Sequence, residues 1–176
     1  MFLKATPLFL VISGSATNKK EKIQLLIKKG ADLNHMDGGG GTPTMMAAGW
    51  GGRYDLAMVL LKAGADHRLY QGSQVMKLVQ MVVRHESKLP HYTPQQKADY
   101  QELVQWLESH GESVEGARAD IKRWDSWSRT TGEYRRRMDA EIAERKAREK
   151  LPATTGSKIM SPDKPSPSKE LKGAKE

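Results

Sequence analysis

An internal repeat constrains this chain most: two short apolar segments, the second closed by glycine, recur three times within its first 111 residues. The clearest copy reads Gly41-Thr42-Pro43-Thr44-Met45-Met46-Ala47-Ala48-Gly49, then Asp55-Leu56-Ala57-Met58-Val59-Leu60-Leu61-Lys62-Ala63-Gly64-Ala65-Asp66. An earlier copy runs Ala5-Thr6-Pro7-Leu8-Phe9-Leu10-Val11, then Lys22-Ile23-Gln24-Leu25-Leu26-Ile27-Lys28-Lys29-Gly30-Ala31-Asp32-Leu33-Asn34. The third departs further: Gly72-Ser73-Gln74-Val75-Met76-Lys77-Leu78-Val79, then Tyr100-Gln101-Glu102-Leu103-Val104-Gln105-Trp106-Leu107-Glu108-Ser109-His110-Gly111.

Each step has a physical reason. Proline in a first helical turn has its φ preset and no N–H to leave unpaired, so Thr-Pro opens a helix. The second segment carries apolar residues at helical spacing, Ile23, Leu26 and Ile27 or Leu56, Val59 and Leu60, which predicts a three-turn amphipathic helix. Gly30, Gly64 and Gly111 then suit the left-handed position that stops it. Neither helix pair can bury its apolar face alone, so neighbouring pairs must stack.

Thr-Pro, the double alanine, the paired leucines and Gly-Ala-Asp resemble the landmarks of the ankyrin repeat. The resemblance implies an all-α solenoid of about three helix-turn-helix repeats, near 5–34, 37–68 and 72–111, and a protein that binds other proteins. The first copy has the longer turn between its helices. The third has Gln74 where threonine belongs, lacks the proline, and holds an insertion at residues 87–97.

Beyond residue 111 the pattern changes. Residues 112–131 are expected to form a capping helix, with Ala117, Ile121, Trp124 and Trp127 covering apolar surface that a fourth repeat would have buried. Residues 132–150 read as a charged helix with a thin stripe at Tyr134, Met138 and Ile142. Residues 151–176, rich in proline, serine, glycine and lysine, are expected to be disordered.

Composition excludes some chemistry. With no cysteine, disulfides, thiolate metal sites and cysteine nucleophiles are ruled out. A net charge of +8 permits contact with nucleic acid, anionic membrane or an acidic protein, and selects none. Residues 1–17 resemble a signal peptide, but the run Leu8-Phe9-Leu10-Val11-Ile12 is short and begins after Pro7, so it reads as structure. No stretch has the length of a membrane span.

Apparent catalytic and ligand motifs fail on context. Gly38-Gly39-Gly40-Gly41 lacks the lysine and the preceding strand of a phosphate loop, and is expected to be a flexible hairpin tip. The five histidines include no i,i+4 pair, although His35 and His67 fall at matching hairpin positions and could approach across the stack. Ser13 and Ser15 lack a nucleophile-elbow sequence, and Leu151-Pro152-Ala153-Thr154-Thr155-Gly156 has one threonine too many for a sortase signal. The basic runs at Arg135-Arg136-Arg137 and at Arg145, Lys146 and Arg148 are diluted by Asp139, Glu141, Glu144 and Glu149, which disfavours nucleic acid. No enzyme activity and no cofactor are expected.

The ankyrin resemblance places contacts on hairpin tips and first helices, here Gly38, Gly39, Gly49 and Trp50. Trp50, between two glycines, is a natural anchor or else packs on the next repeat. His35 and Met36 belong to the first hairpin. His67, Arg68 and Tyr70 form an aromatic-and-arginine patch in the next, and the insertion adds His91 and Tyr92.

The layout is similar to compact bacterial ankyrin proteins that act as immunity partners of secreted toxins, such as type VI phospholipase effectors. It therefore implies a monomeric inhibitor of a toxin, soluble and cytoplasmic as the chain stands, or periplasmic if an upstream signal has been lost. The competing expectation is an adaptor that uses the basic C-terminal helix and tail on nucleic acid or anionic membrane.

Overall fold

The computed structural model describes residues 6–71, 75–127 and 132–150, with the backbone alone at positions 50, 51, 149 and 150. The described residues are all-α, with no strand among them. The helices are α1 (Pro7–Ser13), α2 (Lys19–Lys28), α3 (Pro43–Gly51), α4 (Tyr54–Lys62), α5 (Leu78–Arg84), α6 (Pro94–Ser109), α7 (Val114–Asp125) and α8 (Glu133–Lys150), and a 3-10 turn spans Glu86–His91.

Two rows form. α1, α3, α5 and α7 pack side by side in one, and α2, α4 and α6 in the other. Within each pair α1 lies on α2, α3 on α4 and α5 on α6. One apolar core runs through both rows, from Leu8 and Ile12 through Ile23, Leu56, Leu60, Val82 and Leu103 to Val114 and Ala117. The short apolar run near the start is thus part of this core, as α1.

The second helices end alike. Gly30, Gly64 and Gly111 have φ of +78°, +99° and +87°. Behind each, the next residue donates its N–H to a carbonyl one turn back: Ala31 to Leu26, Ala65 to Leu60 and Glu112 to Leu107, at 3.0, 3.1 and 3.0 Å. Each glycine N–H bonds inside that loop, to Ile27, Leu61 or Glu108, which completes a Schellman motif three times over. The sequence located all three stops.

The starts were read less well. Thr42 caps α3, its hydroxyl accepting from the Met45 N–H at 3.3 Å. In the third copy the cap position is Lys77 and not Gln74, since α5 begins at Leu78, with the Gln80 side chain accepting from the Lys77 N–H at 3.0 Å. Without Thr-Pro to fix the start, the helix opens only after Lys77, and the Gln71 N–H bonds the Met76 carbonyl at 2.8 Å.

The insertion also differs from expectation. Its Thr93-Pro94 is a third helix start: the Thr93 hydroxyl accepts from the Gln96 N–H (3.2 Å) and Gln96 accepts from the Thr93 N–H (3.0 Å), a full capping box. Residues 94–97 are therefore the first turn of α6, and the remainder is largely the 3-10 turn.

α7 extends the first-helix row where a fourth repeat would stand, packing on α5. Trp124 and Trp127 are buried with Val75 and Met76 in a second cluster, covered by the Tyr134, Met138 and Ile142 stripe of α8. The cap is thus α7 plus α8, and Trp127 lies just past the end of α7 at Asp125. The tail expected to be disordered lies outside the described residues.

Candidate binding surface

In the first-helix row the cap positions are Thr6, Thr42, Lys77 and Ser113. Four residues past each stand Leu10, Met46, Met81 and Ala117. Leu10 is 60% exposed, Met46 and Met81 are half-buried, and only Ala117, in the cap, is buried. Three adjacent helices thus present one apolar side chain each at the same register. Sequence inspection missed this row, because leucine and methionine in an apolar-periodic helix read as core. The usable signal was register counted from the caps.

The first hairpin supplies a further exposed apolar side chain, Met36, at 38%. Gly38 and Gly39 are exposed beside it, but the tip is held. The Asp37 carboxylate accepts N–H bonds from Gly39 and Gly41 at 2.8 and 2.9 Å, and the Asp37 N–H bonds the Gly41 carbonyl at 3.0 Å. The glycine run forms an aspartate-anchored turn at the hairpin tip. His35 lies edge-on to Phe9, with ring centroids 6.4 Å apart. Asn34 accepts from the Asp66 N–H at 2.8 Å and locks this hairpin to the next.

Other candidates turn out to serve the fold. His67 is mostly covered, its ring 5.3 Å from Trp106 and 6.1 Å from His110, with Nε2 3.7 Å from Glu112. Tyr70 has the Arg145 guanidinium over its ring at 4.5 Å, so the aromatic patch is closed by α8. Tyr92 reaches the Tyr54 hydroxyl at 3.4 Å and packs on Gly52, whose φ of +59° and lack of a Cβ admit the ring. A Cβ on Gly49 would come within 2.7 Å of Met81 Sδ, so that glycine permits the close approach of α3 and α5. Arg68, at Asp66, and His91, ending the 3-10 turn, remain exposed. The Trp50 side chain lies outside the described residues.

A hollow of about 600 Å³ lies between α5, α7 and α8. Its polar groups are mutually engaged: Arg123 with Asp120 and Glu141 at 3.1 and 2.9 Å, Gln80 with Asp120 at 3.1 Å, and the Trp124 indole N–H with Glu141 at 3.1 Å. It is a polar seam that fastens α8. Ser109 lies 3.1 Å from His110 Nδ1, yet both side chains engage the Trp106 carbonyl, at 2.8 and 2.7 Å. Among the described residues no group of three or more histidines and carboxylates could hold a metal ion. None of their helices is long and apolar enough to cross a membrane.

Several ionisable groups tie elements together. Arg118 holds the Glu86 carboxyl below the usual carboxylate range, against burial and helped by the Tyr100 hydroxyl at 2.7 Å. This joins the 3-10 turn, α6 and α7. Burial pushes His85 below the ordinary imidazole range, reinforced by Lys88 and Arg84 and opposed by the Ala48 carbonyl. Burial does the same to His67, opposed by Glu112.

A depressed histidine pKa stabilises the fold fully above the unfolded value of about 6.5, and that contribution is lost as pH falls toward the folded value. The melting temperature should accordingly drop between pH 7.5 and 5, and the double variant His67→Phe, His85→Met should flatten that slope in calorimetry. An unchanged slope would place the responsible groups elsewhere.

No protein-family model matches this chain, and no curated protein does.

Proposed function

We propose that this chain is a short ankyrin-type solenoid that acts by binding another protein, as an inhibitor of the immunity-protein kind that neutralises a secreted toxin. The carrying observation is the row Leu10, Met46 and Met81: Leu10 is 60% exposed, and Met46 and Met81, which pack in part against the core, keep some apolar surface uncovered at the same register on the next two helices. Support also comes from the three identical Schellman stops and the two-row stacking, which suit repeats that each contact only their neighbours. Methionine favours such a role, since its unbranched, polarisable side chain adapts to a partner's shape. The contact surface is this row together with His35, Met36 and the Gly38-Gly39 tip, with Arg68 on the adjoining hairpin.

The double variant Leu10→Asp, Met46→Asp tests the reading. It should weaken partner binding by about tenfold or more while leaving the helical circular dichroism spectrum intact, because central apolar anchors carry most interface energy. Undiminished binding would remove the row from the interface. The competing adaptor reading predicts instead that charge reversal in α8 abolishes binding.

A further inference from the structure

The positive charge of this protein is unevenly neutralised. In α8 the arginines pair within the molecule: Arg137 with Glu133 at 3.0 Å, Arg135 with Asp139 at 3.9 Å and Arg148 with Glu144. In α2 the situation is reversed. Lys22, Lys28 and Lys29 are exposed, and none has an ion-pair partner among the described residues. Leu25, 56% exposed, stands between them. On a helix, residues three and four apart are surface neighbours, so Lys22, Lys28 and Lys29 frame Leu25, with Glu21 the one acid on the frame.

Lys28 and Lys29 stand at the end of α2, where the macrodipole favours cations, but Leu25 and Lys22 have no such use. The other apolar residues of α2, Ile23, Leu26 and Ile27, pack in or against the core, so Leu25 adds nothing to it. Lys19, Lys20 and Lys22 crowd the start of the helix, where the macrodipole favours acids, so the helix itself gains nothing from Lys22. Lys19 has an internal use, donating to the Ile12 carbonyl at 2.8 Å, and Lys20 lines a groove of about 450 Å³ with Asp55 and Asp99.

We propose that the outer face of α2 is a docking surface for an acidic protein segment that seats an apolar side chain on Leu25. This deepens the protein-binding reading above and rests on it. Charge complementarity selects an acidic occupant. The single leucine is too narrow for a helix lying in a membrane surface, which needs a broad apolar face. The face also carries no arginine and no aromatic ring of the sort that grips bases or phosphates in stacked or bidentate fashion. A partner helix with one apolar side chain among glutamates or aspartates fits it.

Three probes test this on the full isotope-labelled chain by amide chemical-shift titration near physiological salt: a synthetic amphipathic peptide with a leucine stripe and glutamates elsewhere, a short DNA duplex, and phosphatidylcholine vesicles containing phosphatidylglycerol. The peptide should shift amides centred on residues 22–29 and leave α8 unmoved. Lys22→Glu, Lys28→Glu and Lys29→Glu together should weaken it about tenfold or more, Leu25→Ser should weaken it several-fold, and Arg135→Glu with Arg137→Glu should not. All six sites are exposed, so folding is expected to survive. Shifts confined to the Leu10, Met46 and Met81 row would overturn the α2 site and leave protein binding standing. DNA or vesicles engaging α2 more tightly than the peptide would overturn both.

Discussion

A chain ending at Gly111 should melt at least about 10 °C below the full chain. α7 supplies Val114, Ala117 and Trp124 to the buried interior and packs on α5, whose Leu78, Val79, Val82 and Val83 are all buried. Without it that flank of the stack faces water. Removing one large buried aromatic costs about 3–5 kcal/mol, and in a chain of this size each kcal/mol lowers the melting temperature by roughly 2–4 °C. Trp124→Ala in the full chain is the milder companion and should reproduce most of the loss. Calorimetry decides between cap and tether: equal melting of the long and short chains would show that α7 and α8 only trail from a stack already complete.

Tyr54→Ala should be the most damaging single substitution in the repeats, at about 3–5 kcal/mol. Its ring is fully buried and sits 5.3 Å from that of Tyr100 and 6.0 Å from that of Tyr92. α4, α6 and the end of the 3-10 turn converge on this one side chain. Burial, with the Tyr92 hydroxyl, keeps its phenol protonated well beyond the ordinary tyrosine range. Tyr54→Phe should cost no more than about 1 kcal/mol, because the hydroxyl pair at 3.4 Å is long for an O–H···O bond. Denaturant melts of the two variants separate ring packing from hydroxyl bonding. A mild Tyr54→Ala would contradict the packing described.

The sequence revealed the parts of this fold that are locally encoded. Glycine at the end of an amphipathic helix has one conformational use there, and Gly30, Gly64 and Gly111 all show it. Thr-Pro likewise encodes a start wherever it stands, although at Thr93-Pro94 it was read as insertion because the repeat length was given precedence. What stayed hidden depends on which distant residues meet. Nothing near Tyr70 announces that Arg145 covers it, and nothing near Tyr92 announces Tyr54. His67, Tyr70 and Tyr92 therefore carry packing within the molecule that their places in the sequence do not show. Leu10, apolar and periodic like its buried neighbours Leu8 and Ile12, is exposed, and Met46 only half-buried, which periodicity alone does not show. The dilution of the α8 basic runs by acids was legible because it is local: Arg135, Arg137 and Arg148 pair at i,i+4 with Asp139, Glu133 and Glu144.

Binding to a protein through the first-helix row is the central claim. Its most direct measurement is capture by the full chain in ~0.5 M salt, where surface electrostatics are screened over a few ångströms, set beside the Leu10→Asp, Met46→Asp variant. One protein held at this salt by the native chain and lost by the variant is the predicted result. Retention of nucleic acid alone, or of the same protein equally by both chains, would contradict it.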